Sequence, residues 1–177
     1  VKPLNKVVAN IPYNITGPLL ERVLGTLVCP LEKPYDLLVL LIQKQVADRI
    51  LSLPGKSEFS ALSIRMQLLA KCSSVCHVPP NAFDPIPKVD SKVIIIKPFA
   101  NQDRLDPPIA RFLDKLLKKA FSSRRKMIKN TLGSIISLQD IQPQLNTIGI
   151  SLDQRPQEIS PDKWVSLAKE LYLSNKI

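Results

Sequence analysis

Six successive apolar residues, Leu37 to Ile42, constrain this chain more than any other feature of its sequence. Side chains alternate between the two faces of a strand, so a run with no polar member leaves no face for water. Such runs belong to the covered strands of parallel sheets. The run predicts a strand over Tyr35 to Ile42, buried on both sides. A second aliphatic stretch, Leu4 to Ala9, reads the same way and ends abruptly at Asn10-Ile11-Pro12-Tyr13, where Pro12 removes a ladder donor. Between the two, Leu19, Leu20, Val23, Leu24 and Leu27 recur at helical spacing, and Gly25 weakens the end of that helix. Strand, helix, strand implies a parallel pair joined by a crossover.

The pattern then repeats less strictly. Val46, Ile50 and Leu51 predict a short helix closed by the Pro54-Gly55 turn, and Leu62, Ile64, Met66, Leu68 and Leu69 another. Cys72 to Val78 and Val93 to Ile96 read as strands, joined by the proline-rich connection Pro79 to Pro87, a rigid loop at the sheet's edge. Composition shifts at the polar, proline-containing stretch 101–108, which suits a linker. Everything beyond it reads helical. Ile109, Phe112, Leu113, Leu116, Leu117, Ala120 and Phe121 form one apolar stripe, with Arg111, Lys115, Lys118 and Lys119 mostly off it. Ser160 and Pro161 supply a helix cap and first residue ahead of Trp164, Leu167, Ala168, Leu171 and Tyr172, a stripe that reads as core. The expected organisation is an α/β domain over 1–100 and an all-helical domain over 101–177.

Twenty-five Lys and Arg against fifteen Asp and Glu give a net charge of +10. With 45% hydrophobic residues the chain is globular, so the excess charge lies on a folded surface and favours a polyanionic partner, nucleic acid first among them. The longest apolar run is far too short to span a bilayer, and no leader pattern is visible, so a cytoplasmic protein without membrane contact is expected. Cys29, Cys72 and Cys76 leave one thiol over whatever the pairing; buried free thiols on a strand are expected for Cys72 and Cys76. His77, the sole histidine, reads as structural, and no second Cys/His pair stands at zinc-site spacing, so no metal is expected.

The sharpest chemical signal is Asn10-Ile11-Pro12-Tyr13. Ligands of open α/β sheets bind beyond the carboxyl ends of the strands, which is where this motif falls. Pro12 holds the residue before it extended, so the Ile11 carbonyl can project beside the Asn10 side-chain carbonyl. Two acceptors gripping the hydrogens of an adenine amino group would draw that poor nucleophile towards a tetrahedral geometry and stabilise the positive charge it develops. Tyr13 could offer a stacking face to an extruded base. An ordinary Asn/Pro turn is the competing reading.

Four stretches, in this order, resemble the KsgA-type ribosomal RNA adenine dimethyltransferases: Asn10 to Tyr13, Leu41-Ile42-Gln43-Lys44-Gln45-Val46-Ala47-Asp48-Arg49-Ile50, Phe83-Asp84-Pro85-Ile86-Pro87-Lys88-Val89-Asp90-Ser91-Lys92-Val93, and the segment Lys118 to Leu132. Erythromycin-resistance rRNA methyltransferases share the first motif, but the second pair of stretches favours the KsgA type. The resemblance implies the C-terminal half of a Rossmann-like methyltransferase domain followed by a small helical domain. It further implies S-adenosylmethionine as cofactor and two methylations of each of two adjacent adenosines in small-subunit rRNA, with a role in ribosome biogenesis on the pre-ribosomal small subunit. By that resemblance Asn10, Ile11, Pro12, Tyr13 and Phe83 form the catalytic set. Asn10 and Ile11 hold the amino group, Tyr13 and Phe83 cover the two faces of the base, and Asn10 borders the cofactor. The family's glycine-rich cofactor turn is not found among the five glycines, so an incomplete and by itself inactive piece of the enzyme is expected; a monomer is also expected. Gln45 replaces the family's usual Glu, and Phe59-Ser60 its common Tyr-Gly.

The cluster Lys115, Lys118, Lys119, Arg124, Arg125, Lys126 and Lys129 has the density of a phosphate-binding surface, with Phe121 and Met127 interleaved as packing anchors. Lys88, with Arg65 and Lys71, extends the basic track. A solvated helix face is the alternative for the cluster, and a non-catalytic RNA- or ribosome-binding assembly module is the alternative for the whole chain.

Overall fold

The computed structural model of the protein describes residues 5–100, 104–133 and 136–174. They divide into two compact units: one holds the residues up to Ser52 and those from Arg65 to Arg104, the other Leu53–Ile64 and everything from Leu105 onward.

The first unit is built on a four-stranded sheet in the order β1-β2-β4-β3: β1 (Lys6–Asn10), β2 (Leu37–Gln43), β3 (Ala70–Val78) and β4 (Ser91–Pro98). β1 and β2 are parallel, in register from Lys6 opposite Leu37 to Asn10 opposite Leu41, with α1 (Thr16–Leu24) in the crossover. The parallel pair is thus as the apolar runs predict. β4 runs antiparallel to both β2 and β3, the geometry the proline-rich hairpin connection allows without a crossover. α2 (Lys44–Leu51) follows β2 directly and packs against β2, β3 and β4, burying Ala47 and Ile50. On α2, Asp48 takes Lys44 at 2.7 Å and Lys92 of β4 at 2.5 Å. Burial pushes the Asp48 carboxyl up, but the hydrogen bonds and charges of the two ammonium groups outweigh it and hold it below its ordinary value.

Burial on both faces, expected of β1 and β2, is not found. Leu38, Leu40 and Ile42 are fully buried, whereas the intervening Leu37, Val39 and Leu41 are only half-buried, and Val8 on β1 is 80% exposed. β1 is an edge strand of the described sheet, and the face that carries Val8 has no covering layer among the described residues. An apolar run records what a strand could bury, not which neighbours cover it. β3, at the opposite edge, is exposed along most of its length, and this corrects the reading of its thiols. Cys76 and Cys29 are exposed and only Cys72 is largely covered; all three are free. Burial pushes the Cys72 thiol up to about 12, leaving it protonated and unreactive at neutral pH. Brief alkylation with iodoacetamide should therefore modify Cys29 and Cys76 and spare Cys72 until a denaturant is added. Native-state labelling of Cys72 at the rate of the other two, read by peptide mass spectrometry, would contradict its placement.

The second unit is helical: α4 (Pro107–Ala120), α5 (Ile128–Leu132), α6 (Leu138–Ile148) and α7 (Pro161–Leu173), with α3 (Ala61–Leu69) leading out of it into the sheet unit. α4 and α6 both pack on α7, whose start is capped as expected, the Ser160 side chain accepting from the Lys163 N–H at 3.4 Å. Trp164 is fully buried, donates to the Pro156 carbonyl at 3.4 Å and lies against Phe121 with ring centroids 6.4 Å apart. A single boundary at residue 101 is only half of the observed division. Segment 53–64 belongs with the helices because Phe59 and Ile64 are fully buried, Gly55 N–H donates to the Gln157 carbonyl at 2.7 Å, and Arg124 reaches back to the carbonyls of Ser57 and, at 2.8 Å, Phe59.

Candidate active site at the end of the first strand

β1 ends where its side chains become useful. Asn10 is the last paired residue, and Ile11 still donates its N–H to the Leu41 carbonyl at 3.0 Å while its side chain is 4% exposed, so what Ile11 can offer a ligand is main chain. Pro12, with φ −56° and ψ 132°, breaks the ladder, and its carbonyl accepts from Ile15 at 3.1 Å. That bond closes a single 3-10 turn, Tyr13–Ile15, which runs straight into α1. The Asn10 side chain is exposed and has no hydrogen-bond partner among the described residues.

The loop between β3 and β4 closes the opposite side. Asn10, Ile11, Pro12 and Tyr13 share one cavity of about 200 Å³ with Phe83, Asp84, Pro85 and Pro87. All five residues of the expected catalytic set therefore meet at one place. The cavity lies below the range of roughly 300–1,000 Å³ common for small-molecule sites. It suits one planar base. Of its lining only Asn10 is a candidate cofactor contact, so these residues do not by themselves fit a nucleoside-sized cofactor as well.

Two contributions escape sequence reasoning. Asp84, Pro85 and Pro87 line the cavity alongside Phe83. Ser91, fully buried at the start of β4, shares a 2.7 Å hydrogen bond with the Tyr13 hydroxyl. That bond ties the ring of Tyr13 to the sheet and fixes the plane on which a base would stack. Nothing local signals it, because the partners are 78 residues apart. His77 sits 3.3 Å from Asp90, both about half exposed, and no group of His, Cys, Asp and Glu among the described residues could hold a metal ion.

The basic candidates are not equivalent. Arg125, Lys126 and Lys115 are exposed, as is Lys88 on the loop beside the cavity. Lys118 and Lys119 occupy the last turn of α4, where cations suit the helix dipole, and Lys118 pairs with Asp114 at 2.9 Å. Lys129 pairs with Asp153 at 2.6 Å. Arg124 is engaged by the Ser57 and Phe59 carbonyls, and its Nε is buried without a partner among the described residues. Met127 is 37% exposed, and the packing anchor after the turn is the fully buried Ile128.

Two solved structures named as methyltransferases share this architecture. A dimethyladenosine transferase from Plasmodium falciparum superposes with a TM-score of 0.74 at 22% identity over 99% of this chain and 70% of its own, and the 23S rRNA methyltransferase ErmE with 0.68 at 20% over 94% and 65%. At those identities they establish the fold, a Rossmann-like α/β sheet followed by helices, as expected. The family model for ribosomal RNA adenine dimethylases matches residues 3–173, and the chain belongs to that family. Among its relatives are proteins named ribosomal RNA small subunit methyltransferase A. The one from Prochlorococcus marinus (strain MIT 9303) is 58% identical over 94% of this chain, and that from Synechococcus sp. (strain CC9902) is likewise 58% identical over 94%. The chain spans 60% and 61% of the length of these two relatives. No helix among the described residues is long and apolar enough to cross a membrane.

Proposed function

We propose that this chain carries the base-binding part of an S-adenosylmethionine-dependent rRNA adenine N6-dimethyltransferase. It acts in the cytoplasm on adjacent adenosines of small-subunit rRNA during ribosome biogenesis. The observation that carries the reading is the convergence of Asn10, the Ile11 main chain, Tyr13 and Phe83 on one base-sized cavity. An adenine entering it leaves its stack, at a cost of a few kcal/mol, and is compensated by the two aromatic faces. Its amino hydrogens meet the Asn10 and Ile11 oxygens, which concentrate electron density on the nitrogen and stabilise the charge that grows as it is methylated. As the nitrogen–carbon bond forms and the donor's sulfur–carbon bond breaks, the methylated nitrogen becomes acidic and releases its proton to water, so no strong base is needed. The cofactor, when bound, supplies the methyl group. Ser91 keeps Tyr13 oriented throughout.

The direct test is methylation of a small-subunit rRNA hairpin by the complete protein, with nucleosides identified by mass spectrometry. Dimethyladenosine at two adjacent positions is expected. Tyr13→Ala and Phe83→Ala should each lose roughly 1–3 kcal/mol of stacking, with aromatic replacements retaining more. Tyr13→Phe should be intermediate, since it keeps the ring but leaves the buried Ser91 hydroxyl unpaired. A methylated base other than adenine would end the proposal.

Phosphate binding is assigned to Lys119, Arg125 and Lys126, with Lys88 beside the cavity, and Lys118, Arg124 and Lys129 contribute less because other groups already hold them. Joint replacement of the first four by alanine should weaken binding to structured RNA of any sequence and flatten the slope of log affinity against log salt by up to about one unit per lost contact. A folded quadruple variant with unchanged slope would mean that the cluster is a solvated face.

A further inference from the structure

Ile86 is an exposed apolar residue in an unusual position. It is 69% exposed, and of the exposed large hydrophobic residues described it is the one flanked on both sides by residues that line the base-sized cavity, Pro85 and Pro87. A single exposed isoleucine needs no explanation in itself. Its setting does. Neighbouring Cα atoms are about 3.8 Å apart, so Ile86 stands at the rim of the cavity without entering it. The two prolines fix their own φ, and Pro87 also restricts Ile86 to an extended conformation, so the side chain is presented by a stiff segment with little freedom left to lose on binding. Two residues on, Lys88 is exposed and can meet a phosphate.

A base seated in this cavity has left a gap in the RNA stack, and that gap favours its return unless something fills it. We propose that Ile86 is the wedge that fills it: the side chain inserts where the extruded adenine stood, stacks against the neighbouring base and so holds the target in the cavity. The inference rests on the reading of the cavity as an adenine site. Apolar side chains inserted between base steps are a general means by which proteins stabilise unstacked nucleic acid. Here the insertion also buries an aliphatic surface that is otherwise held in water.

The wedge makes a prediction that ordinary apolar contact does not. It matters only when the target must be removed from a stack. Two rRNA hairpins of matched sequence distinguish the cases, one with the target adenosine paired inside a stem and one with it displayed in an already unstacked bulge. Fluorescence anisotropy with the protein should show Ile86→Ala binding the stacked hairpin about tenfold more weakly while changing affinity for the bulged one less than about twofold, the scale expected for losing most of one buried aliphatic side chain. Ile86→Phe should restore the stacked hairpin. Equal losses on both RNAs, or none on either, would overturn the wedge while leaving the adenine site standing, provided that Tyr13→Ala still weakens the wild-type affinity for the bulged hairpin. Failure of Tyr13→Ala to weaken either complex would remove the adenine site and the wedge with it. Ile86 is exposed, so both variants keep the native fold, and circular dichroism verifies it.

Discussion

Asn10→Ala in the complete protein is expected to lower the maximal rate of adenine methylation by about 10²–10³-fold, or 2.7–4 kcal/mol, by analogy with deleting one donor of an oxyanion hole. RNA affinity should hardly move. The asymmetry follows from the proposed division of roles: Asn10 and Ile11, which line the cavity with Tyr13 and Phe83, would hold the amino group, and the two aromatic residues would stack on the base. Ground-state binding of a neutral amino group gains little from one acceptor, while a nitrogen acquiring positive charge gains much more. Asn10→Asp keeps an acceptor at the same place and should retain more activity than the alanine variant. Single-turnover kinetics with saturating RNA separate the two effects. An alanine variant that binds RNA weakly yet turns over at the normal maximal rate would show that Asn10 positions the base and does not assist the chemistry.

The second large effect is on stability. Arg124→Ala should destabilise the helical unit by about 1.5–3 kcal/mol, the range for hydrogen bonds made by a charged group. The guanidinium donates to the main-chain carbonyls of both Ser57 and Phe59, and Phe59 is itself fully buried. Both bonds come from one guanidinium nitrogen, Nη2; the shorter lysine stem carries no planar group around the buried Nε position, so Arg124→Lys should recover only part of the loss. Arg125→Ala, one residue away and exposed, should leave the denaturation midpoint within about 0.5 kcal/mol of the wild type and act on RNA affinity instead. Urea titrations followed by the fluorescence of Trp164, buried in the same unit, report the difference directly. Equal midpoints for Arg124→Ala and the wild type would return Arg124 to the RNA-binding surface.

These two arginines show where sequence reading stops. In the chain they are adjacent and alike; in the fold one is tied to carbonyls more than sixty residues earlier and the other faces water. Properties carried by local pattern were legible. Pro12 stops β1, the crossover between two apolar runs makes them parallel, and Ser160-Pro161 starts α7 with its cap in place. The placement of the Asn10-to-Tyr13 motif was legible too, because the end of a parallel strand is a location as well as a sequence. Hidden features depend on partners distant in sequence. Ser91 buttresses Tyr13 across 78 residues, and Val8 and Cys76 are exposed because no other described element covers them on their edge strands. Which layers cover a strand is a property of the whole fold, which hydrophobicity alone does not encode.

The excursion of segment 53–64 into the helical unit has a consequence for any attempt to take the molecule apart. The polypeptide passes between the two units three times, near residues 52, 64 and 104, so cleavage in the linker alone cannot release two self-sufficient pieces. A peptide beginning at Leu105 would lose Phe59 from its core and leave Arg124 with neither carbonyl, and the remaining sheet fragment would carry an orphaned apolar strip. Grafting this helical unit onto another sheet would therefore require transplanting two separate stretches of chain, and a shuffled gene that exchanged only the C-terminal stretch would encode a protein missing part of its own interior.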